Sequence, residues 1–73
     1  DYSIKSFKYN SDVVCLYLND NNYYMIYYVD NSILGPFNTK DNLLETTNSL
    51  SMTFTSDFQT IDKLEGKIYE WSY

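Results

Sequence analysis

An antiparallel sheet of four to five strands with one main helix packed on one face, an α+β domain, is what the order of residues along this chain implies. Two strand-like runs, VVCLYL at 13–18 and YYMIYYV at 23–29, flank the turn-forming cluster Asn19-Asp20-Asn21-Asn22, as a β-hairpin requires. Leucines at helical spacing follow within residues 38–50. With 73 residues the chain can hide roughly 60% of its extended surface, which supports one small domain over 1–73.

The first ten residues alternate Ser3, Lys5, Phe7 and Tyr9 with Tyr2, Ile4, Ser6 and Lys8. They read as an edge strand whose lysines discourage edge-to-edge pairing. Ser11 and Asp12 then turn the chain into the hairpin, giving a three-stranded meander. A two-residue loop inside the Asn/Asp cluster would pair even positions of the first run with odd positions of the second. On that pairing Val14, Leu16 and Leu18 share a face with Tyr23, Met25, Tyr27 and Val29, the expected core. Val13, Cys15 and Tyr17 then share the other face with Tyr24, Ile26 and Tyr28. Neither face is polar, whereas an ordinary hairpin alternates apolar and polar positions.

Residues 30–38 read as a connection, because Gly35-Pro36 interrupts a ladder; Ile33, Leu34 and Phe37 are expected to tuck against the sheet. The helix over 38–50 has Asn38 or Thr39 as N-cap and Asp41 in its first turn, where the helix dipole favours an acid. Leu43, Leu44, Thr47 and Leu50 form its apolar stripe, and Asp41 and Glu45 share the outer face. SMTFT at 51–55 alternates like a strand. For 57–65 a short second helix is preferred, capped by Ser56 and Gln59 and stopped by Gly66, against one long strand over 52–61. KIYEWSY at 67–73 closes the chain as a strand.

Gly35-Pro36-Phe37-Asn38-Thr39-Lys40, followed by Leu43-Leu44, resembles the strand-to-helix junction of the arm-type DNA-binding domains of phage integrases. The resemblance covers about a dozen residues. It implies a small sheet of three strands packed on one helix. Those domains are basic and this chain is acidic, so the likeness extends to architecture and no functional residue is carried across.

The chain has ten acids, five lysines and a net charge of −5, with no arginine, histidine or alanine. Rich Asn, Lys, Tyr and Ile beside missing Arg and Ala is the composition that AT-rich coding produces, as in low-GC bacteria and their phages. One cysteine cannot form an internal disulfide, and without histidine or a Cys cluster neither a structural zinc nor any other metal or cofactor is expected. The unpaired thiol suits a reducing compartment, so the expected location is cytoplasmic. There is no run of about 18 apolar residues and no signal-peptide pattern, hence no membrane partner is expected. The chain opens on Asp1, as a processed product or a piece of a longer protein would.

Nucleophilic catalysis wants an activated side chain beside a base, and the usual base is missing. Cys15 lies in an apolar run and reads as a small buried hydrophobe. The pairs Asp41/Glu45 and Asp62/Glu65 are ordinary on solvated helix faces, and the two glycines cannot cradle a phosphate. No enzyme is expected. Tyrosines on a sheet face can stack bases, but a chain of net charge −5 repels phosphates, so direct nucleic-acid binding is not expected either.

What remains is protein binding, since Tyr and Trp dominate interface hot spots. The expected function is a non-enzymatic protein-binding module, in its sharpest form a phage or mobile-element inhibitor of a basic, nucleic-acid-handling host enzyme or defence nuclease. Tyr17, Tyr24, Ile26, Tyr28 and Trp71 are the expected aromatic and apolar anchors, with Asp20, Asp30, Asp41 and Glu45 as an acidic rim. The alternative is an assembly module that forms a homodimer through its tyrosine face.

Overall fold

The computed structural model describes residues 3–60. Five strands form one antiparallel sheet: β1 (Ile4–Tyr9), β2 (Val13–Leu18), β3 (Tyr23–Tyr27), β4 (Ile33–Phe37) and β5 (Gln59–Thr60). Helix α1 (Lys40–Ser49) follows β4. The strand order is β4-β3-β2-β1-β5, so β1 to β4 form a meander and β5 returns beside β1. The expected α+β class is what the chain adopts. The junction that resembles integrase arm domains does lead from a strand into the helix, but the sheet has five strands rather than three.

The hairpin turns through three residues, not two. Asn21 N–H donates to Leu18 C=O and Leu18 N–H to Asn22 C=O, both at 3.0 Å, while Asn21 takes a left-handed φ of 66°. This is the three-residue loop in which a tight turn is closed by a left-handed residue, a role Asn tolerates. The extra residue changes the pairing parity. Val13 faces Tyr27, Cys15 faces Met25 and Tyr17 faces Tyr23, odd with odd. The expected faces are therefore corrected: Val13 and Cys15, not Val14, Leu16 and Leu18, join Met25 in the core with Tyr23 and Tyr27 packed against it, Tyr17 shares their side, and Val29, expected in the core, is exposed.

Val13, Cys15, Met25 and Leu43 are fully buried and form that core, with Tyr23, Tyr27, Phe37, Met52, Phe54 and Phe58 packed around them. Burial of side chains the size of Met25 and Leu43 stabilises the fold by about 2 kcal/mol each. Helix α1 covers the β3–β4 part of this face. Thr39 caps it, its hydroxyl accepting from Asn42 N–H at 3.1 Å, and only Leu43 and Thr47 of its stripe are buried. Leu50 falls on the C-cap and stays 47% exposed. The helix stops in a Schellman arrangement, with Ser51 at φ 57° and the amides of Ser51 and Met52 returning to Asn48 and Thr47 carbonyls.

Several expectations need correction. The strand β1 is not an edge, because β5 pairs Ser6 and Phe7 with Thr60 and Gln59. Lys8 is no edge guard: it is 5% exposed, faces the same side as Cys15, and its Nζ lies 4.4 Å from the Phe54 ring centroid and 5.2 Å from that of Phe58. An ammonium over ring faces is attracted by their quadrupoles while its stem packs as hydrocarbon. Residues 30–38 hold a strand after all; β4 is an outer strand, where a proline removes no needed donor, and a register shift opposite Tyr23 and Met25 absorbs Gly35-Pro36. Gly35 has φ +130°, and a Cβ there would lie 2.9 Å from Tyr23 C=O.

Residues 51–55 form no strand, although Met52 and Phe54 turn toward the core. Residues 57–60 are not helical, since Gln59–Thr60 is strand β5. The remainder of that stretch, the expected strand at 67–73 and Trp71 lie outside the described residues. No helix among the described residues is long and apolar enough to cross a membrane.

Candidate functional site

Among the described residues, the large apolar side chains left exposed are Tyr9, Tyr28, Val29, Ile33, Leu34 and Leu50, with Val29 at 90%. Topology brings them to one end of the sheet. Tyr9 ends β1, Tyr28 and Val29 follow β3, Ile33 and Leu34 open β4, and Leu50 caps α1, which runs back along the sheet from the opposite end. A groove of about 1020 Å³ opens there, walled by Tyr9, Tyr27, Tyr28, Val29, Leu50 and Met52.

Local hydrogen bonding shapes its rim. Asn10 Oδ1 accepts the amides of Asp12 and Val13 at 2.8 and 2.9 Å, which closes the β1–β2 turn. Its Nδ2 donates to Thr53 C=O at 3.1 Å and ties that turn to the chain leaving the helix. Tyr28 N–H donates to Asp12 C=O, so the turn and the end of β3 are joined as well. Partial burial, then the proximity of Tyr9 and Cys15, raises the Tyr28 hydroxyl above the ordinary tyrosine value. Asp30 accepts from Ser32 N–H at 3.0 Å, and that amide, with the Ser32 side chain, lowers its carboxyl below the usual range. Asp12 lines the groove, and its carboxylate has no hydrogen bond or ion pair among the described residues.

The expected anchors are brought together only in part. Tyr24 and Ile26 lie opposite Leu16 and Val14, and Tyr28 continues the same alternation, on the face turned away from the helix. Ile33 extends that face beside Ile26. Tyr17 does not join them. The register places it with Tyr23, whose ring it stacks on at 4.4 Å between centroids, with Lys5 Nζ 5.2 Å from its own centroid. Trp71 lies outside the described residues.

Nor do the acids form one rim. Asp20 sits in the hairpin loop and Asp30 beyond the other end of β3, with that strand, about 17 Å long, between them. Asp41 and Glu45 are exposed on the helix, on the other side of the sheet from Tyr24 and Ile26. Asp20 is held locally: against the burial that raises its pKa, the Asn22 amide and the Tyr24 hydroxyl, donating at 2.9 and 2.8 Å, lower it below the usual range.

Tyr9, Val29, Leu50 and Met52 escaped a reading along the chain, because the groove joins segments far apart in sequence. A signal was present in two places, where Val29 and Leu50 are apolar residues set directly before turn formers, at element ends that antiparallel topology can stack. The groove lining offers apolar side chains, hydroxyls and the Asp12 carboxylate. Cys15 is fully buried, and burial, only partly offset by Lys8, pushes its thiol up to about 11. No cluster of three or more potential metal ligands exists among the described residues. Comparison with known proteins finds no family model that this chain matches, no similar curated protein and no similar solved structure.

Proposed function

We propose that this chain is a non-catalytic binding module that holds another protein at the groove end of its sheet. The observation that supports this reading is the gathering of the exposed large apolar side chains of the described residues at that end, where Tyr9, Tyr28, Val29 and Leu50 line one groove. Monomeric proteins seldom leave such a patch without a use for it. Tyr28, with Ile26 behind it, is the part of the expected tyrosine face that belongs to this surface. An inhibitor of a basic, nucleic-acid-handling enzyme is one instance of the reading, with Asp12 and Asp30 meeting the enzyme's cations.

The test is a triple substitution, Tyr28→Ser with Val29→Ser and Ile33→Ser. Proteins cross-linked in extract of the source organism by the wild type should be lost with the variant, while its circular dichroism is unchanged. Equal retention overturns the reading. A second reading, assembly through a further copy of the chain, is favoured by Ile33 and Leu34 lying exposed on the outer strand β4. Light scattering separates the two: a dimer of the same mass at low and high salt supports assembly, and a monomer at both supports a foreign partner.

A further inference from the structure

We infer that the occupant of the groove is a segment of another protein in which lysine or arginine stands beside large apolar side chains. This rests on the protein-binding reading and specifies its partner chemistry. The apolar requirement follows from Tyr9, Tyr28, Val29 and Leu50, which offer side-chain carbon on more than one wall. The cationic requirement follows from charge. Asp12 is the one charged residue of the groove lining among the described residues, and Asp30 directly follows Val29, which lines it.

The described lysines cannot answer those acids from within. Lys5 donates to Asn21 at the opposite end of the sheet at 2.7 Å, Lys40 pairs with Asp57 at 3.1 Å, and Lys8 is held under Phe54 and Phe58. The groove therefore presents negative potential with no described cation to neutralise it, on a chain whose net charge is −5. Such a field favours a cationic partner and rejects an acidic one through like-charge repulsion. The volume, about 1020 Å³ and open to solvent, suits several residues of a passing chain better than a small enclosed ligand.

The test uses two amidated, acetylated probe peptides, Gly-Lys-Phe-Lys-Leu-Lys-Gly and the same sequence with every Lys replaced by Glu, titrated into the ¹⁵N-labelled protein. The lysine peptide should shift amides of Tyr9, Asp12, Tyr28, Val29 and Leu50. The glutamate peptide should bind at least about tenfold more weakly, and Asp12→Asn with Asp30→Asn should shrink that gap to about threefold or less. Equal affinity of the two peptides at the groove overturns the cationic specification and leaves docking intact. Failure of both to move groove amides, or shifts confined to the hairpin end, overturns the inference, while the triple substitution still decides the docking reading separately. Concentration-dependent shifts of the same amides without peptide would assign the groove to a second copy and overturn it as well.

Discussion

The two ends of the sheet solve the same problem in opposite ways. At the hairpin end, polar side chains are consumed by their own neighbourhood. Tyr24 and Asn22 are bonded to Asp20, Lys5 to Asn21, Thr39 to the helix amide of Asn42, and Lys40 to Asp57. Tyr17 stacks on Tyr23 and Phe58 meets Tyr23 edge to face there, with centroids 4.4 and 5.5 Å apart. At the groove end, backbone turns are closed just as carefully, yet Val29, Ile33, Leu50 and Tyr28 face solvent. One end is finished by its own residues, and the other is finished only in its backbone. The lesson is that backbone satisfaction and side-chain burial are separable.

If the hairpin end carries stability and the groove end carries recognition, substitutions should divide accordingly. Tyr23→Ala removes the ring between Tyr17 and Phe58 and should cost about 3 kcal/mol in urea unfolding. A cost below about 1 kcal/mol would mean that the hairpin end is not the stabilising one. Gly35→Ala should cost about 2 kcal/mol, since the new Cβ meets Tyr23 C=O and the φ of +130° is strained for any L side chain. Ser51→Gly works at the other end and in the other sense. Relieving its left-handed φ of 57° should stabilise by about 1 kcal/mol, read as a rise in the denaturation midpoint.

Val29→Ser sharpens the contrast most directly. At 90% exposure it should change stability by less than about 0.5 kcal/mol and still weaken partner capture. A marked loss of stability would show that Val29 is structural. The smallest effect concerns acid. The Asp20 carboxyl is lowered in the folded state, so its contribution is present above the unfolded aspartate value near 4 and fades as pH falls through the folded value. Asp20→Asn should therefore flatten the acid limb of a stability–pH profile by slightly lowering stability at neutral pH while leaving the most acidic end almost untouched. A steepened limb would contradict the hydrogen-bonded arrangement at Tyr24.

Much of this architecture was legible because it is local. Strand β2 spans the run expected for it, β3 begins where expected, and the helix begins one residue after its Thr39 cap. What escaped depends on single residues whose effect is not local. Whether the Asn/Asp cluster turns in two residues or three is a small energetic choice among tolerant residues, yet it decides on which side Tyr17 falls. Lys8 read as a solvated edge residue because nothing along the chain reveals that Phe54 and Phe58 arrive above it from some fifty positions away. Gly35-Pro36 read as a break because sequence does not say which strand is outermost. Of the candidate site, Tyr28 was anticipated from its pattern, whereas Leu50 and Val29 acquire meaning only when the ends of β3 and α1 converge.

The three-residue loop between Leu18 and Asn22 acts on the molecule as a parity rule. Adding or removing one residue there would exchange the two faces of a whole strand, sending Val13 and Cys15 to the side turned away from the helix and Leu16 toward it. Two added residues would restore the original arrangement. Lineages descending from this chain should thus tolerate length changes at this tip in even steps, and an odd step should survive only with a compensating bulge elsewhere in β2 or β3.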